Sequence, residues 1–404
     1  MNADVWVNGP VGLDANLRVT RTGCRLVLVM TPTLTAATRL MDLVPLLECD
    51  LRVQVAFTVP RYGETWAGAE EFVRARGGLF VPWNQAVRYE WDLVLAASHR
   101  HLEEIRGKVL LLPHGAGAMK SRLYSRKAGS PVRATTDLDR EMLTYRGRVV
   151  PSVIALTHDR ELSVLRRACP EAVGAARVVG DICLDRMAAS LPFRHAYRQA
   201  LGVGEHGTLI TVSSTWTPAS TFGQLPRIYS QLLAEVGTAH DRTRVAAVLH
   251  PNVWAVHGAW QVRAWLADAI RQGLLVVPPD DGWQAAMIAS DHVIGDHGST
   301  TSYAAAIGIP ATLATFPADN IRAGSIAASL SRAAARLDLD APLLPQLAVA
   351  RTRRCAGLAR TISSRPGETA RLLRLAMYDL LGLPEPSWPP VLPPVPAPAI
   401  THGK

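Results

Sequence analysis

No uninterrupted apolar run in the sequence approaches the roughly 20 residues that a membrane-spanning helix needs. The opening "MNADVWVNGPVGLDANLRVTRTGC" also lacks the zones of a signal peptide. A cytoplasmic protein is the expectation. Cysteine is scarce: Cys24, Cys49, Cys169, Cys183 and Cys355 are odd in number and lie far apart. That spacing excludes a disulfide framework and a zinc knuckle, so buried thiols are expected.

What is present is a chain of 404 residues, 48% of them hydrophobic. The length exceeds the size at which one core usually keeps growing, so two domains are expected. The net charge of +9 is carried almost wholly by arginine. The excess admits phosphorylated small molecules, an anionic surface or nucleic acid as partners. Its densest groups, "MKSRLYSRK" (119 to 127) and "RTRRC" (351 to 355), have no interleaved aromatic ladder on which bases could stack, so nucleic acid is not the expected partner.

Short apolar runs alternate with helix-like stretches, the pattern of parallel sheets covered by helices. In the first half the runs are "RLVLVM", "LRVQVAFTV", "GLFVPW", "DLVLAAS", "KVLLLPHG" and "SVIALTH"; the second half restarts with "LITVSSTW", "RVAAVLHPN", "LLVVPP", "HVIGDHG" and "ATLATF". The reading is an α/β chain with two doubly wound, Rossmann-like domains in tandem, 1–178 and 179–382, facing an interdomain cleft. Residues 321–382 read as mostly helical. The proline-rich tail 383–404 reads as an extended, mobile and disordered arm.

Open parallel sheets bind ligands at the carboxyl ends of their strands. The polar residues collect there. His114 and Gly115 end one run, Ser213, Ser214 and Thr215 another, His250 a third, and Asp296 with His297 a fourth. After Gly298 come four hydroxyls, Ser299, Thr300, Thr301 and Ser302. Set before the helix-forming "YAAA", they read as the entry to a helix whose unpaired N–H groups hold an anion, commonly a phosphate. His114, followed by small residues, reads as an exposed, titratable imidazole suited to proton transfer. No metal-ligand pair stands at suitable spacing beside these positions, so no metal is expected. The Gly-x-Gly at 115 to 117 lacks the third glycine and the acidic residue of a dinucleotide fingerprint, which argues against a nicotinamide cofactor.

In order, "PHGAGAMK", "VVGDICLDRM", "VLHPN" and "GDHGSTTSYAAAIGIPA" resemble the CDP-glycerol glycerophosphotransferase family of wall teichoic acid polymerases. The last segment is also similar to the donor-diphosphate segment of many GT-B glycosyltransferases and of UDP-N-acetylglucosamine 2-epimerases. The resemblance implies a GT-B-like fold whose second domain holds the nucleotide donor. It implies His114 as general base on an acceptor hydroxyl, His250 near the donor phosphate, and Asp296, His297, Ser299 and Thr300 as the phosphate cradle. The chain departs from the family at Pro113, where an aromatic is common, at Asp-His-Gly-Ser in place of Asp-Tyr-Ser-Ser, and at Gly180 and Asp181 with "ICLD".

The expected chemistry is attack by an acceptor hydroxyl, of a polymer, lipid-linked or small molecule, on a nucleotide-activated donor such as CDP-glycerol. His250, the helix beginning near Ser299, and Lys120 or Arg122 would neutralise the phosphates. Three alternatives stay open: a UDP-sugar glycosyltransferase, a nucleotide-sugar epimerase or hydrolase, and a non-catalytic nucleotide-binding homologue. Peripheral contact with the inner membrane face stays open too.

Overall fold

Alternation along the first strand shows how its sheet is covered. In Arg25–Met30 (β1), Val27 and Val29 enter one hydrophobic cluster and Leu28 and Met30 another. Both faces are apolar, as a parallel sheet flanked by helices on each side requires. The computed structural model describes residues 6–12, 14–60, 67–118, 123–124, 133–134, 137–239, 242–350, 355 and 357–398.

These residues form two units. The first takes in those between 6 and 118, 137 and 182, and 364 and 393. Besides β1, the strands of its six-stranded sheet are Val53–Thr58 (β2), Glu90–Ala96 (β3), Arg106–Leu111 (β4), Val153–Leu156 (β5) and Ala176–Val178 (β6). They lie side by side in the order β6-β5-β4-β3-β1-β2, all parallel. The expected strand in "GLFVPW" is present only as an isolated parallel bridge from Phe80 to Phe57 of β2. Pro82 has no N–H with which to extend that ladder.

The second unit takes in the described residues between 123 and 134, 183 and 363, and 394 and 398. The strands of its six-stranded sheet are Thr208–Ser214 (β7), Thr243–Leu249 (β8), Leu275–Val276 (β9), His292–Gly295 (β10), Ala311–Leu313 (β11) and Ala335–Arg336 (β12). The order is β9-β8-β7-β10-β11-β12, again parallel throughout. Strand order reverses between β7 and β10, and such a switch point opens a crevice at the strands' carboxyl ends.

The helices that matter below are Leu34–Leu40 (α1), Asp159–Ala168 (α2), Thr221–Gln224 (α3), Pro251–His257 (α4), Ser299–Ala306 (α5) and Thr369–Leu381 (α6). The chain passes between units at Ile182 and Cys183 rather than after Val178, and α6 returns to the first unit. Its Leu373, Met377 and Leu381 join Val27, Val29 and Leu40 in one core. Burying an aliphatic side chain of this size stabilises by about 1.5–3 kcal/mol, enough to fix where α6 docks. Residues 383–398 carry no helix or strand. The expected loose arm is nonetheless held at Val395, which is buried: its carbonyl accepts from Tyr197 Oη at 2.6 Å and its N–H donates to Ser190 Oγ at 3.0 Å.

A polar contact also fastens α6. Tyr378 Oη donates to Asp50 Oδ2 at 2.7 Å, and Asp50 accepts from Arg52 Nε at 2.9 Å and Arg52 Nη2 at 2.7 Å. The Arg52 guanidinium, helped by the Tyr378 hydroxyl and opposed by burial, holds the Asp50 carboxyl well below the usual carboxylate range. A depressed folded-state pKa gives stabilisation that is complete above the unfolded value of about 4 and is lost as pH falls below it. The difference in Tm between wild type and Asp50→Asn is therefore expected to shrink as melts are run from about pH 5 to about pH 2. A constant difference across that window would assign the carboxylate no such role.

Among the described residues no helix is long and apolar enough to cross a membrane.

Candidate functional site

Asp296 follows β10 directly and is fully buried. Its Oδ2 accepts from the Thr215 N–H at 2.8 Å, from Thr215 Oγ1 at 2.8 Å and from the Thr221 N–H at 3.1 Å. Its Oδ1 accepts from the Gly298 N–H at 3.0 Å. One side chain thus binds together the end of β7, the start of α3 and the turn into α5. These segments meet at the reversal of strand order. A carboxylate with no water around it costs several kcal/mol unless such donors replace the lost hydration.

The β7 end is shaped by its own hydroxyls. Ser213 and Ser214 are buried; Ser214 Oγ donates to the Thr215 carbonyl at 2.8 Å and accepts the Phe222 N–H at 2.9 Å. The loop between Thr215 and Thr221 is thereby closed at both ends. It presents Trp216, which is 48% exposed. The Trp216 ring lies 6.4 Å, centroid to centroid, from that of His250.

His250 follows β8 directly and caps α4. Its N–H donates to the Ser214 carbonyl at 3.0 Å, and its Nδ1 accepts the Asn252 N–H at 3.1 Å. That bond assigns the neutral ring's proton to Nε2. The Pro251 ring sets the first helical φ and removes a donor that would have had no partner.

The hydroxyl cluster divides in two. Gly298 is the N-cap of α5 with φ −72° and ψ 160°, so none of the four hydroxyls caps the helix. Ser299 is exposed and Thr300 half-buried, whereas Thr301 and Ser302 are buried, with Ser302 Oγ donating to the Gly298 carbonyl at 3.1 Å. Glycine at the cap has a steric reason. A Cβ there would stand 2.7 Å from Thr215 Cγ2 and 3.1 Å from Asp296 Oδ1. The start of α5 is therefore not covered by a capping side chain, and its first N–H groups carry the partial positive charge of a helix start. His297 is buried. Near Asp296, the buried Tyr229 phenol is pushed up by burial and by the Asp296 charge.

In the first unit, His114 and Gly115 stand just past the end of β4. His114 is exposed, Ala116 and Ala118 are buried, and Gly117 takes the left-handed φ of 78°. Lys120 and Arg122 lie outside the described residues. The sequence positions thus fall in two sets: His114 and Gly115 in the first unit, and Ser213, Ser214, Thr215, His250 and the 296 to 302 segment in the second. Sequence reasoning passed over Trp216 and Glu161. The first was visible as an aromatic after a serine pair, the second as the acid three residues beyond a candidate helix cap. The described residues hold one group spaced to ligate a metal, His101 with Glu103 and Glu104, and none of the three belongs to the site above.

Two parallel, doubly wound units in tandem define a GT-B-like fold of glycosyltransferase type. Solved structures of two variants of the wall teichoic acid polymerase TagF share it, with TM-scores of 0.58 and 0.57 at 10% identity, over 89% of this chain and 90% of theirs. The Anabaena protein HepE in complex with UDP-glucose aligns with a TM-score of 0.48 at 12% identity, over 88% of this chain and 99% of that one. No protein-family model matches the chain, and no curated protein matches it.

Proposed function

We propose that this protein is a transferase that moves a glycerol phosphate, a related polyol phosphate or a glycosyl group from a nucleotide-activated donor to an acceptor hydroxyl. The observation that carries the reading is the fourfold bonding of Asp296, which fixes the end of β7 against the start of α5 at the switch point of the second unit. This is where an open parallel sheet receives a ligand, and the helix start favours an anion. TagF, named as a wall teichoic acid polymerase, shares the fold.

In this reading the α5 start, Ser299, Thr300, Thr215 and the Nε2–H of His250 hold the donor phosphates. Asp296 keeps those groups in place and handles no proton. The acceptor oxygen attacks the donor phosphorus, or the anomeric carbon of a sugar donor. The bond from that atom to the nucleotide oxygen breaks, and a nucleoside monophosphate or diphosphate leaves. His114 takes the acceptor's proton. A well-placed base contributes about 10²- to 10⁴-fold. Preorganised donors at the leaving group contribute about 10²- to 10³-fold each. No metal is assigned to this step.

The test is a panel of CDP-glycerol and UDP-sugars, with nucleotide release followed with and without hydroxyl acceptors. Acceptor-dependent release from one donor supports the transferase. Product formed without acceptor supports an epimerase or hydrolase, and absence of nucleotide binding by calorimetry overturns the reading. Ser299→Ala combined with Thr300→Ala is expected to weaken nucleotide binding about 10²- to 10⁴-fold, two lost hydrogen bonds to a charged group being worth about 1.5–3 kcal/mol each. Unchanged affinity in the double variant would remove these hydroxyls from the cradle.

A further inference from the structure

Glu161 is only 1% exposed, and the chemistry above gives it no part. It is the third residue of α2, and with the N-cap His158 it forms a capping box. A capping box occupies one carboxylate oxygen. Here that oxygen is Oε2, which accepts from the Thr157 N–H at 2.7 Å and the His158 N–H at 3.3 Å. The other oxygen, Oε1, reaches elsewhere. It accepts the N–H of Ala118 at 2.7 Å, across 43 residues of sequence.

Ala118 closes the stretch that opens when β4 ends and that carries His114. Its carbonyl is held as well, accepting the Asp137 N–H at 2.8 Å. The stretch is thus fixed by β4 on one side and by a buried carboxylate on the other, with the exposed imidazole between. Capping α2 calls for neither the burial nor the second oxygen. Burial pushes the Glu161 acid up, and the surrounding N–H groups pull against that shift. Such a costly placement matches a tether more closely than a surface cap.

We infer that Glu161 is a positioning residue that sets the His114 loop at the end of β4, and so places the imidazole for proton transfer. The inference rests on the reading of His114 as general base. It parallels what Asp296 does in the second unit, where a buried carboxylate also joins a strand end to a helix start.

The test is a double-mutant cycle of Glu161→Gln and His114→Ala, using the panel donor that turns over, CDP-glycerol in the first instance. Glu161→Gln keeps the volume and one acceptor oxygen. Its kcat is expected to fall about 10- to 100-fold, the scale of a displaced catalytic group, with donor KM within about twofold of wild type. The double variant is expected to be no slower than His114→Ala alone, because Glu161 acts through His114. Hydrogen exchange of the 114 to 118 amides, measured without any ligand, is expected to quicken in Glu161→Gln.

Losses that multiply in the double variant, or a kcat loss matched by KM and by Tm, would leave Glu161 a structural cap and overturn the inference. Unchanged exchange at 114 to 118 would overturn it as well. If His114→Ala is inactive while Glu161→Gln is fully active, only the Glu161 inference fails. If His114→Ala keeps full activity, the base assignment fails first. A Glu161→Ala variant that does not fold leaves all these readouts in place for Glu161→Gln.

Discussion

Replacement of His114 by alanine is expected to lower kcat by about 10²- to 10⁴-fold while nucleotide affinity stays within about twofold of wild type. The split follows from where the residues sit. His114 belongs to the first unit, whereas every residue assigned to the donor phosphates belongs to the second. The side chain is exposed just past β4, so its removal leaves no cavity in the core and Tm is expected to hold. The measurements are steady-state turnover with the selected donor and calorimetry with the free nucleotide. Equal losses in turnover and nucleotide affinity would contradict the division of labour. An alanine variant that turns over at the wild-type rate would remove His114 from the chemistry altogether.

The second large effect is expected at Asp296, through a different mechanism. Removing its carboxylate strips the acceptor from three backbone N–H groups, those of Thr215, Thr221 and Gly298, and from the Thr215 hydroxyl. A buried donor left without a partner costs about 1–3 kcal/mol, so Asp296→Ala is expected to lose roughly 3–5 kcal/mol once some of these groups find water. Nucleotide binding is expected to fall more than about tenfold, because the β7 end and the α5 start lose their common fastening. Denaturant melts give the first quantity and calorimetry the second. Asp296→Asn keeps the volume and isolates the charge. If Asp296→Ala bound nucleotide as tightly as wild type, the junction would have no bearing on the ligand.

Much of this architecture was legible in the sequence because it rests on runs of apolar residues. "RLVLVM", "LITVSSTW" and "RVAAVLHPN" became β1, β7 and β8 because strands buried on both faces cannot afford interruption. The polar residues after the runs of the second unit were expected at the carboxyl ends of its strands, and Ser213, Ser214, His250 and Asp296 do lie there. Four features were not legible, for physical reasons. β12 is two residues, Ala335 and Arg336, too short to show any period. The return of α6 to the first unit is decided by which core its Leu373, Met377 and Leu381 complete, and an amphipathic stripe does not name its partner. The hydroxyls 299 to 302 look alike in sequence, but helical geometry turns Thr301 and Ser302 inward and leaves Ser299 and Thr300 facing out. The role of Gly298 depended on Thr215, which is remote in sequence and adjacent only after folding.

The placement of α6 has a consequence for how the protein is made. The first unit takes its closing helix from beyond the second unit's long stretch, so while that stretch is being translated the groove beside β1 waits uncovered. The second unit holds most of its residues in one continuous stretch and can mature during that interval. A nascent chain halted after residue 363 is therefore expected to show a protease-resistant second unit and a susceptible first one.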